Sequence, residues 1–320
     1  MSDSFNHSND PVLIRCNGSF LTFYLDAPAN GFHYYSNILY IIVNLILSTT
    51  GICFNVLVWM VYWRNKSVRT SSNMLLVVLA LTDFMTNTVV QPFGIARMVN
   101  EIRGAHSCFV LIAARLSSYI CCGLSLLTVA IICIERFITL AYPYRYQNIL
   151  PPWRLKLIVA VTWISVLIFV PLHLGPVSYT VLSSVGNTLI VLSILTVCLT
   201  WLWVNRLVKR HNIAIASTQT PGSEKQNHSK RQEASFRATR TSYLICGAVL
   251  VFYFPTLVML AYNATQDYNF VALFLVAPWV ETVMFSNSLL NPSLLFWRKS
   301  SFRTTVNEIL TRPPLHLGKV

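Results

Sequence analysis

The sequence predicts an all-α membrane protein whose chain forms a seven-transmembrane helix bundle. Of its 320 residues, 54% are hydrophobic and only 11% are charged, whereas a soluble domain carries about 25% charged residues. The mean hydropathy is +0.55, and the apolar residues occur in long uninterrupted blocks. This composition excludes a soluble domain, a disordered chain and a low-complexity or collagen-like repeat.

Seven segments are long enough to cross a bilayer. A crossing helix needs about 20 mostly apolar residues, because each residue rises about 1.5 Å and every backbone polar group must be bonded internally. The predicted spans are residues 36–63, 73–98, 105–140, 155–173, 178–204, 243–263 and 270–297. They divide the chain into an N-terminal segment 1–35, a transmembrane domain 36–297 and a tail 298–320.

Lysine and arginine are distributed unevenly between the two ends of these spans. Arg15, Arg97, Arg103 and Arg115 fall on the N-terminal side, and the other 20 of the 24 fall on the opposite side or at its membrane boundary. Because cytoplasmic loops are rich in Lys and Arg, we expect the N-terminus outside the plasma membrane and the C-terminus in the cytoplasm. The net charge of +13 is then mostly a signal of topology, and no nucleic-acid partner is expected.

Three Asn-x-Ser/Thr sequons lie on the predicted outer side, at Asn6, Asn17 and Asn263, and are candidate glycosylation sites. The same motif also begins at Asn65 and Asn227 on the inner side. The sequons therefore support the orientation only weakly.

Several polar residues lie inside the predicted spans, where they are costly and point to function. Asn55 lies in the first span and Asp83 in the middle of the second, while Asn287, Ser288 and Asn291 lie in the seventh. Three polar clusters at similar depth on three helices can converge on one internal site.

These residues belong to a set of marks that occur in order along the chain. The marks are Asn55, Asp83 in Leu79-Ala80-Leu81-Thr82-Asp83, Glu135-Arg136-Phe137 at the end of the third span, Trp163, Pro255 in the sixth span and Asn291-Pro292 in the seventh. Because these marks occur in this order, the chain resembles the rhodopsin-like (class A) G-protein-coupled receptors over residues 36–302. The resemblance implies a receptor that binds an extracellular ligand and catalyses nucleotide exchange on a heterotrimeric G protein. It also implies a short cytoplasmic eighth helix, against which Phe302 packs.

The resemblance implies roles at two levels of the bundle. Arg136, held by Glu135 at rest, is released when the sixth helix swings about Pro255. A sodium and water network couples the outer pocket to the inner cleft, and its sodium ion is the one cofactor expected. That network consists of Asn55, Asp83, Asn287, Ser288 and Asn291. The alternative is that these side chains form interhelical hydrogen bonds with no switching role.

The chain departs from the family pattern at three positions. Leu295 stands where a tyrosine normally stabilises the active state, Tyr253 where a tryptophan is usual, and Ser235 where an acidic partner for Arg136 is often found. A decoy or other receptor that binds without signalling is therefore the second interpretation.

Two ligand classes are disfavoured by single residues. An amine receptor of this family carries an aspartate eighteen residues before Arg136, where this chain has Ser118. A retinal pigment carries a lysine six residues before Asn291, where this chain has Phe285. The pocket candidates are Gln91, Arg97, Arg115, Ser118, Tyr119, His173, Tyr253 and Glu281. The charged candidates pair either with a charged ligand or with each other, and no metal site is expected, because no His or Cys is spaced to join His173.

The loop between the fourth and fifth spans is very short and contains no Cys, so the usual disulfide of the family cannot form. Such a loop resembles that of the melanocortin, adenosine and lysolipid grouping of receptors. Cys108 lies close to the usual position on the third helix, and Cys16 alone shares the oxidising side with it. We therefore hypothesise a bridge between Cys16 and Cys108.

Other classes of function find little support in the sequence. We expect no enzyme, because the chain has no zinc-protease, nucleophile-elbow or phosphate-loop motif. A small-solute transporter is a remote alternative, since the chain shows no internal repeats. Arrestin is a further possible partner, because the tail carries Ser and Thr residues that can be phosphorylated.

Overall fold

Seven long helices and one short terminal helix form the bundle. The computed structural model describes residues 12–16, 22–25, 31–105, 107–142, 144–217, 244–263 and 275–311. The helices are α1 (Gly31–Arg64), α2 (Ser71–Ile102), α3 (Cys108–Ala141), α4 (Pro152–Leu174), α5 (Tyr179–Ser217), α6 (Leu244–Asn263), α7 (Ala277–Arg298) and α8 (Ser300–Thr311). The predicted seven-helix architecture is confirmed, and so is the short eighth helix.

Six of these helices, α1 to α6, are long and apolar enough to cross a membrane. The seventh has 22 residues, and its polar residues, among them Glu281, Asn287 and Asn291, lower its mean hydropathy. Because burial against neighbouring helices satisfies such residues, a polar span can still belong to the bundle.

Four helices, α1, α2, α4 and α5, are longer than their predicted spans. The first begins at Gly31 rather than at residue 36, and the fifth continues to Ser217 rather than ending at 204. The prediction counted apolar residues, whereas a helix can continue beyond the hydrocarbon as long as its backbone hydrogen bonds are made. At the start of α1, Phe32 and Tyr35 are exposed, as is typical of aromatic residues at a membrane interface.

A π-helical turn interrupts α2 at Thr86–Val90. It comes just before Pro92, whose ring removes an N–H and clashes with the preceding turn. Such a turn inserts one extra residue and changes which side chains face the bundle. It therefore sets the direction of every residue in the outer half of α2, including Arg97.

The N-terminal segment contains a hairpin that the sequence analysis did not predict. Strand β1 (Val12–Arg15) pairs antiparallel with β2 (Thr22–Leu25), so that Val12 lies opposite Leu25. The next residue, Cys16, is buried against Leu111, Ile112 and other residues at the outer end of α3. The hairpin is thus attached to α3.

Burial differs strongly between the helices. Half of the apolar window of α3 is buried but only 11% of that of α4, so α3 runs through the centre of the bundle and α4 lies at its edge. The connection from α4 to α5 occupies residues 175–178, which confirms the predicted short loop. At the inner end, α8 packs through the fully buried Phe302, whose ring lies 6.2 Å from that of Phe296.

Candidate functional site

Glu135 and Arg136 form a buried ion pair at the inner end of α3. Arg136 Nε lies 3.3 Å from Glu135 Oε2. The other carboxylate oxygen, Oε1, accepts hydrogen bonds of 2.7 Å from Ser72 of α2 and from Tyr146 in the loop after α3. A buried charge is tolerated when it is both paired and hydrogen-bonded. These hydrogen bonds therefore stabilise the Glu135–Arg136 ion pair.

Tyr146 is well suited to hold the Glu135 carboxylate. It belongs to a one-turn helix, Tyr146–Ile149. Burial and the neighbouring charge of Glu135 raise the pKa of Tyr146 to about 12. The phenol therefore keeps its proton at neutral pH and remains a hydrogen-bond donor.

Lys299 is a second cation at this end that the sequence analysis did not single out. It lies between α7 and α8 and donates a hydrogen bond to Asn73 Oδ1 of α2. Burial and the nearby Arg136 guanidinium lower the pKa of Lys299 to about 7, although Glu135 acts in the opposite direction. The charge beside Arg136 is therefore sensitive to pH near neutrality.

Three further predicted switch residues, Phe137, Leu295 and Pro255, lie on α3, α7 and α6. Phe137 packs against Trp203 of α5, with ring centroids 6.5 Å apart. Leu295 is 2% exposed and belongs to the same apolar core as Ile245 of α6. Pro255 lies inside α6, where its missing N–H leaves one carbonyl of the preceding turn without its helical partner.

A disulfide joins α3 to α6 close to this pair. It links Cys133 to Cys246, and Cys133 precedes Arg136 by three residues. Nothing in the spacing of these two cysteines along the sequence pairs them. A covalent link here holds the inner half of α6 against α3.

The structure brings most of the predicted polar residues close together. Asp83 is 1% exposed; its Oδ2 accepts a 2.8 Å hydrogen bond from Asn291 Nδ2 and its Oδ1 a 3.3 Å bond from Ser125. Asn55 Nδ2 donates to the Ser288 carbonyl at 3.0 Å rather than to Asp83. The predicted Asn287 is buried, but no hydrogen bond joins it to Asp83 among the described residues. Ser125 also belongs to this network, although it was not among the residues predicted from the sequence.

Asn87 extends this network toward α1. Ser288 Oγ donates a 2.9 Å bond to Asn87 Oδ1, and Asn87 Nδ2 donates to the Asp83 carbonyl at 2.8 Å. A Cβ on Gly51 would lie 2.4 Å from Asn87 Nδ2. Only glycine therefore lets α1 approach α2 this closely.

The network contains oxygen atoms that could coordinate a sodium ion. The Asp83 carboxylate accepts two hydrogen bonds but faces no cation among the described ion pairs. The Asn291 Oδ1 atom is buried without a hydrogen-bond partner. A cavity of about 10 Å³ touches Asn55, Asp83 and Asn291, which is close to the space of one water molecule. Carboxylate and amide oxygens are the donors that hard cations prefer, so these residues fit the ion.

A larger cavity of about 340 Å³ opens at the outer end of the bundle. It lies between α2, α3 and α7 and also touches Tyr40 of α1, Tyr179 of α5 and Asn263 of α6. Five of the eight predicted pocket residues line it. These are Arg97, Arg115, Ser118, Tyr119 and Glu281.

The other three predicted pocket residues do not line this cavity. His173 is enclosed by the rings of Tyr119, Phe169 and Tyr179, with its Nδ1 2.9 Å from the Val170 carbonyl. It lies behind the two tyrosines that the cavity touches.

Tyr253 and Gln91 are buried for different reasons. The Tyr253 hydroxyl donates to the Cys122 carbonyl at 3.3 Å, within the apolar core. Gln91 is 0% exposed and directly follows the π-helical turn of α2. That turn changes the phase of the helix, which a prediction from regular helical spacing does not anticipate.

The charged residues of the cavity include an ion pair. Arg97 Nη2 lies 3.1 Å from Glu281 Oε2, which joins α2 to α7. Arg97 also interacts electrostatically with Glu101, a cavity residue one turn further along α2. The sequence alone leaves open whether these charges pair with each other or with a ligand; in the structure, Arg97 and Glu281 pair with each other.

One buried face of α1 was not recognised from the sequence. His33, Asn37, Asn44 and Ser48 are each 5% exposed or less. Asn44 Nδ2 donates to Thr282 Oγ1 of α7 at 2.9 Å, and Ser48 Oγ to the Asn87 carbonyl at 2.6 Å. The recurrence of polar residues four and seven apart was the available signal, since these intervals mark one helix face.

The structure bonds Cys16 to Cys108, with a Cα–Cα distance of 5.6 Å. The bridge fastens the hairpin to α3 beside Leu111, which lines the cavity. Asn263 is exposed at the end of α6 and touches the cavity. The other two candidate glycosylation sites, Asn6 and Asn17, lie outside the described residues.

Comparisons with known proteins agree on one family. A family model described as 7 transmembrane receptor (rhodopsin family) matches residues 54–175. The histamine H2 receptor of Canis lupus familiaris is 24% identical and aligns with 94% of this chain and 86% of its own length. The adenosine receptor A2a of Cavia porcellus is 31% identical over 40% of this chain and 31% of its own length. Dopamine receptor 3 of Caenorhabditis elegans is 30% identical over 41% of this chain and 22% of its own length.

Proposed function

This chain belongs to the rhodopsin-like family of seven-transmembrane receptors, and we propose that it carries a ligand signal from the outer cavity to a heterotrimeric G protein. It is a multi-pass membrane receptor and not an enzyme. The observation that carries the proposal is the buried Glu135–Arg136 pair, which lies at the inner end of α3. The cavity lies at the opposite end of the same helix, at Arg115 and Ser118.

The proposed transition begins with the Glu135 environment. In the closed form Arg136 is held by Glu135, and Glu135 by Ser72 and Tyr146. Movement of α6 away from α3 releases Arg136 toward the cytoplasm, where a G protein binds. This transition requires the Cys133–Cys246 link to be open, because that link joins the two helices at this level.

The polar network is proposed to couple the two ends. Asp83 and Asn291 join α2 to α7 at mid-depth, and both helices also line the cavity. A sodium ion bound by Asp83 stabilises the closed form, since a ligand that binds one state shifts the population toward that state.

The N-terminus is proposed to lie outside the cell. The excess of Lys and Arg at the other end of the spans supports this orientation.

An amine ligand is compatible with the cavity, in contrast to the expectation from Ser118. Two of the relatives are named as receptors for histamine and dopamine, so the comparisons give no support to excluding amines. Ser118 offers no carboxylate, but Glu281 lines the same cavity and supplies one. Phe285 also lines the cavity, and its ring cannot form the Schiff base that retinal requires.

Arrestin is proposed as a second inner partner. The exposed residues Ser300, Ser301 and Thr304 lie on α8, and phosphorylation would add negative charge there. Thr305, in contrast, is buried and bonded to Asn65.

The function is tested by nucleotide exchange on a panel of heterotrimeric G proteins, with membranes that carry this chain. We expect basal exchange on at least one G protein and its loss in Arg136→Ala. Arg154→Ala is the matched control, because Arg154 is an exposed arginine on the same side. Equal exchange in Arg136→Ala and wild type would contradict the role of this pair.

A receptor that binds without signalling is the second candidate. It is favoured by Leu295, which is buried in the apolar core and offers no hydroxyl. Surface-expressed protein that binds a ligand but produces no exchange on any G protein would support it.

A further inference from the structure

We propose that the outer cavity takes a small zwitterionic ligand, whose ammonium group pairs with Glu281 and whose acid group pairs with Arg115. This inference rests on the proposed receptor function and names the ligand class of the same cavity. It depends on the charges, the distances and the volume of the cavity.

The cavity wall carries both signs of charge. Arg97, Arg115, Glu101 and Glu281 line it, so that its formal charges cancel. A ligand with a single charge can pair with only one sign of this wall. A ligand with one positive and one negative group matches both.

Glu281 can receive a ligand ammonium without leaving a cation unpaired. Its side chain is 36% exposed and that of Arg97 is 29% exposed, so the pair is accessible from the cavity. Arg97 also interacts electrostatically with Glu101. When an ammonium group binds Glu281, Arg97 therefore retains a second carboxylate.

Arg115 lies within reach of the same ligand. Arg115 and Glu281 both interact electrostatically with the Tyr119 hydroxyl, and all three residues line the cavity. Both charges therefore lie near the same phenol. A guanidinium is the side chain best matched to a carboxylate or phosphate, because its fork of donors binds two oxygens at once.

The volume and the aromatic lining restrict the ligand further. About 340 Å³ is near the lower end of small-molecule pockets, which favours a molecule of amino-acid size over a folded peptide. Tyr40, Tyr119, Tyr179 and Phe285 supply apolar ring surface. A short body with an amino group, an acid group and an apolar side chain fits this lining.

The test uses matched sets of probes on purified receptor without any G protein. Each set contains a free α-amino acid, its N-acetyl derivative and its C-terminal amide, and further zwitterions such as taurine and phosphoethanolamine are included. The readout is the rise in melting temperature with probe concentration. We expect binding by at least one zwitterion and a loss of affinity of about tenfold or more in both of its singly charged derivatives.

Two variants separate ligand recognition from folding. Glu281→Gln should lower the affinity for the zwitterion by about 30-fold or more, because the substitution removes one partner of a charge pair. The exchange of charges in Arg97→Glu/Glu281→Arg retains the ion pair between α2 and α7 but places a cation where the ammonium binds. We expect that double variant to melt close to wild type and to lose the zwitterion. Glu308→Gln, at an exposed site on α8, is the control.

The proposal is overturned if no zwitterion binds, if a singly charged derivative binds as well as its parent, or if the charge-exchanged variant keeps its ligand. Because binding is measured without a G protein, these outcomes leave the exchange activity of the receptor untouched. Failure of exchange in the presence of a bound zwitterion would instead contradict the proposed signalling function.

Discussion

Asn291 of α7 donates a 2.8 Å hydrogen bond to the Asp83 carboxylate of α2, halfway between the outer cavity and the Glu135–Arg136 pair. The same two helices meet again at the cavity, where Arg97 pairs with Glu281. α2 continues inward to Ser72, which donates to Glu135. Helix α2 therefore contributes residues to the outer cavity, the polar network and the Glu135–Arg136 pair. A shift of α2 against α7 would change the contacts at all three.

The Asp83 site leads to a prediction about sodium. We expect sodium chloride to raise the melting temperature of purified receptor more than choline chloride does, and Asp83→Asn to remove this difference. A saturating ligand stabilises by mass action, by about 1.4 kcal/mol at ten times its dissociation constant. Asp83→Asn with an unchanged sodium effect would place the ion elsewhere.

The contact between Gly51 and Asn87 predicts a strong effect of one methyl group. A Cβ at Gly51 would lie 2.4 Å from Asn87 Nδ2, whereas a Cβ at Gly123 of α3 meets its nearest neighbour at 3.8 Å. Gly51→Ala should therefore cost about 1–3 kcal/mol through overpacking, while Gly123→Ala should be nearly neutral. Thermal unfolding of both variants compares them directly, and equal melting temperatures would contradict this packing.

The link between Cys133 and Cys246 predicts a restraint on α6. Cys246→Ser removes the link, so we expect more G-protein nucleotide exchange than in wild type. Cys198→Ser is the control, because Cys198 is an unbridged cysteine on α5. Unchanged exchange in Cys246→Ser, or free thiols at both positions by mass spectrometry, would show that the link does not restrain the receptor.

We expect Lys299 to make the stability of the protein depend on pH. Its pKa is lowered from 10.5 to about 7 in the folded protein, so the unfolded state binds more protons between these values. Stability should therefore rise as the pH increases from about 7 to about 10. Lys299→Met should remove this contribution, so the difference in melting temperature between variant and wild type should be largest at low pH. A constant difference across this range would contradict the assignment.

The Cys16–Cys108 bridge predicts a loss of stability at the outer end. Cys16→Ser and Cys108→Ser should each lower the free energy of unfolding by about 2–5 kcal/mol, and the double variant should lose no more than either alone. Melting curves of the three variants measure this non-additivity. Additive losses would indicate that the two cysteines act independently.

The sequence predicted the bundle because hydrophobic length and charge bias act locally along the chain. It also singled out Asp83, since a carboxylate is rarely found at mid-depth without a role. Gln91 does not line the outer cavity, because the π-helical turn before it changes the helical phase. His173 does not line it either, because neighbouring rings from three helices cover it, and such cover depends on tertiary packing.

Other features could be recognised only in three dimensions. The hydroxyls of Ser72 and Tyr146 converge on Glu135 from two separate segments, and no spacing in the chain relates them. The pairing of Cys133 with Cys246 is of the same kind, with 113 residues between them. In contrast to these features, the buried polar face of α1 could have been recognised from the sequence, because His33, Asn37, Asn44 and Ser48 recur at helical spacing.

The most direct test of the central claim uses purified receptor in lipid vesicles, with one purified heterotrimeric G protein outside. Our account predicts faster nucleotide exchange with wild-type receptor, loss of that acceleration in Arg136→Ala and no change in Arg154→Ala. The same vesicles should show no flux of small solutes. Two results together would contradict the receptor function and favour a transporter. These are solute flux without any G protein and a nucleotide-exchange rate that is the same in Arg136→Ala and wild type.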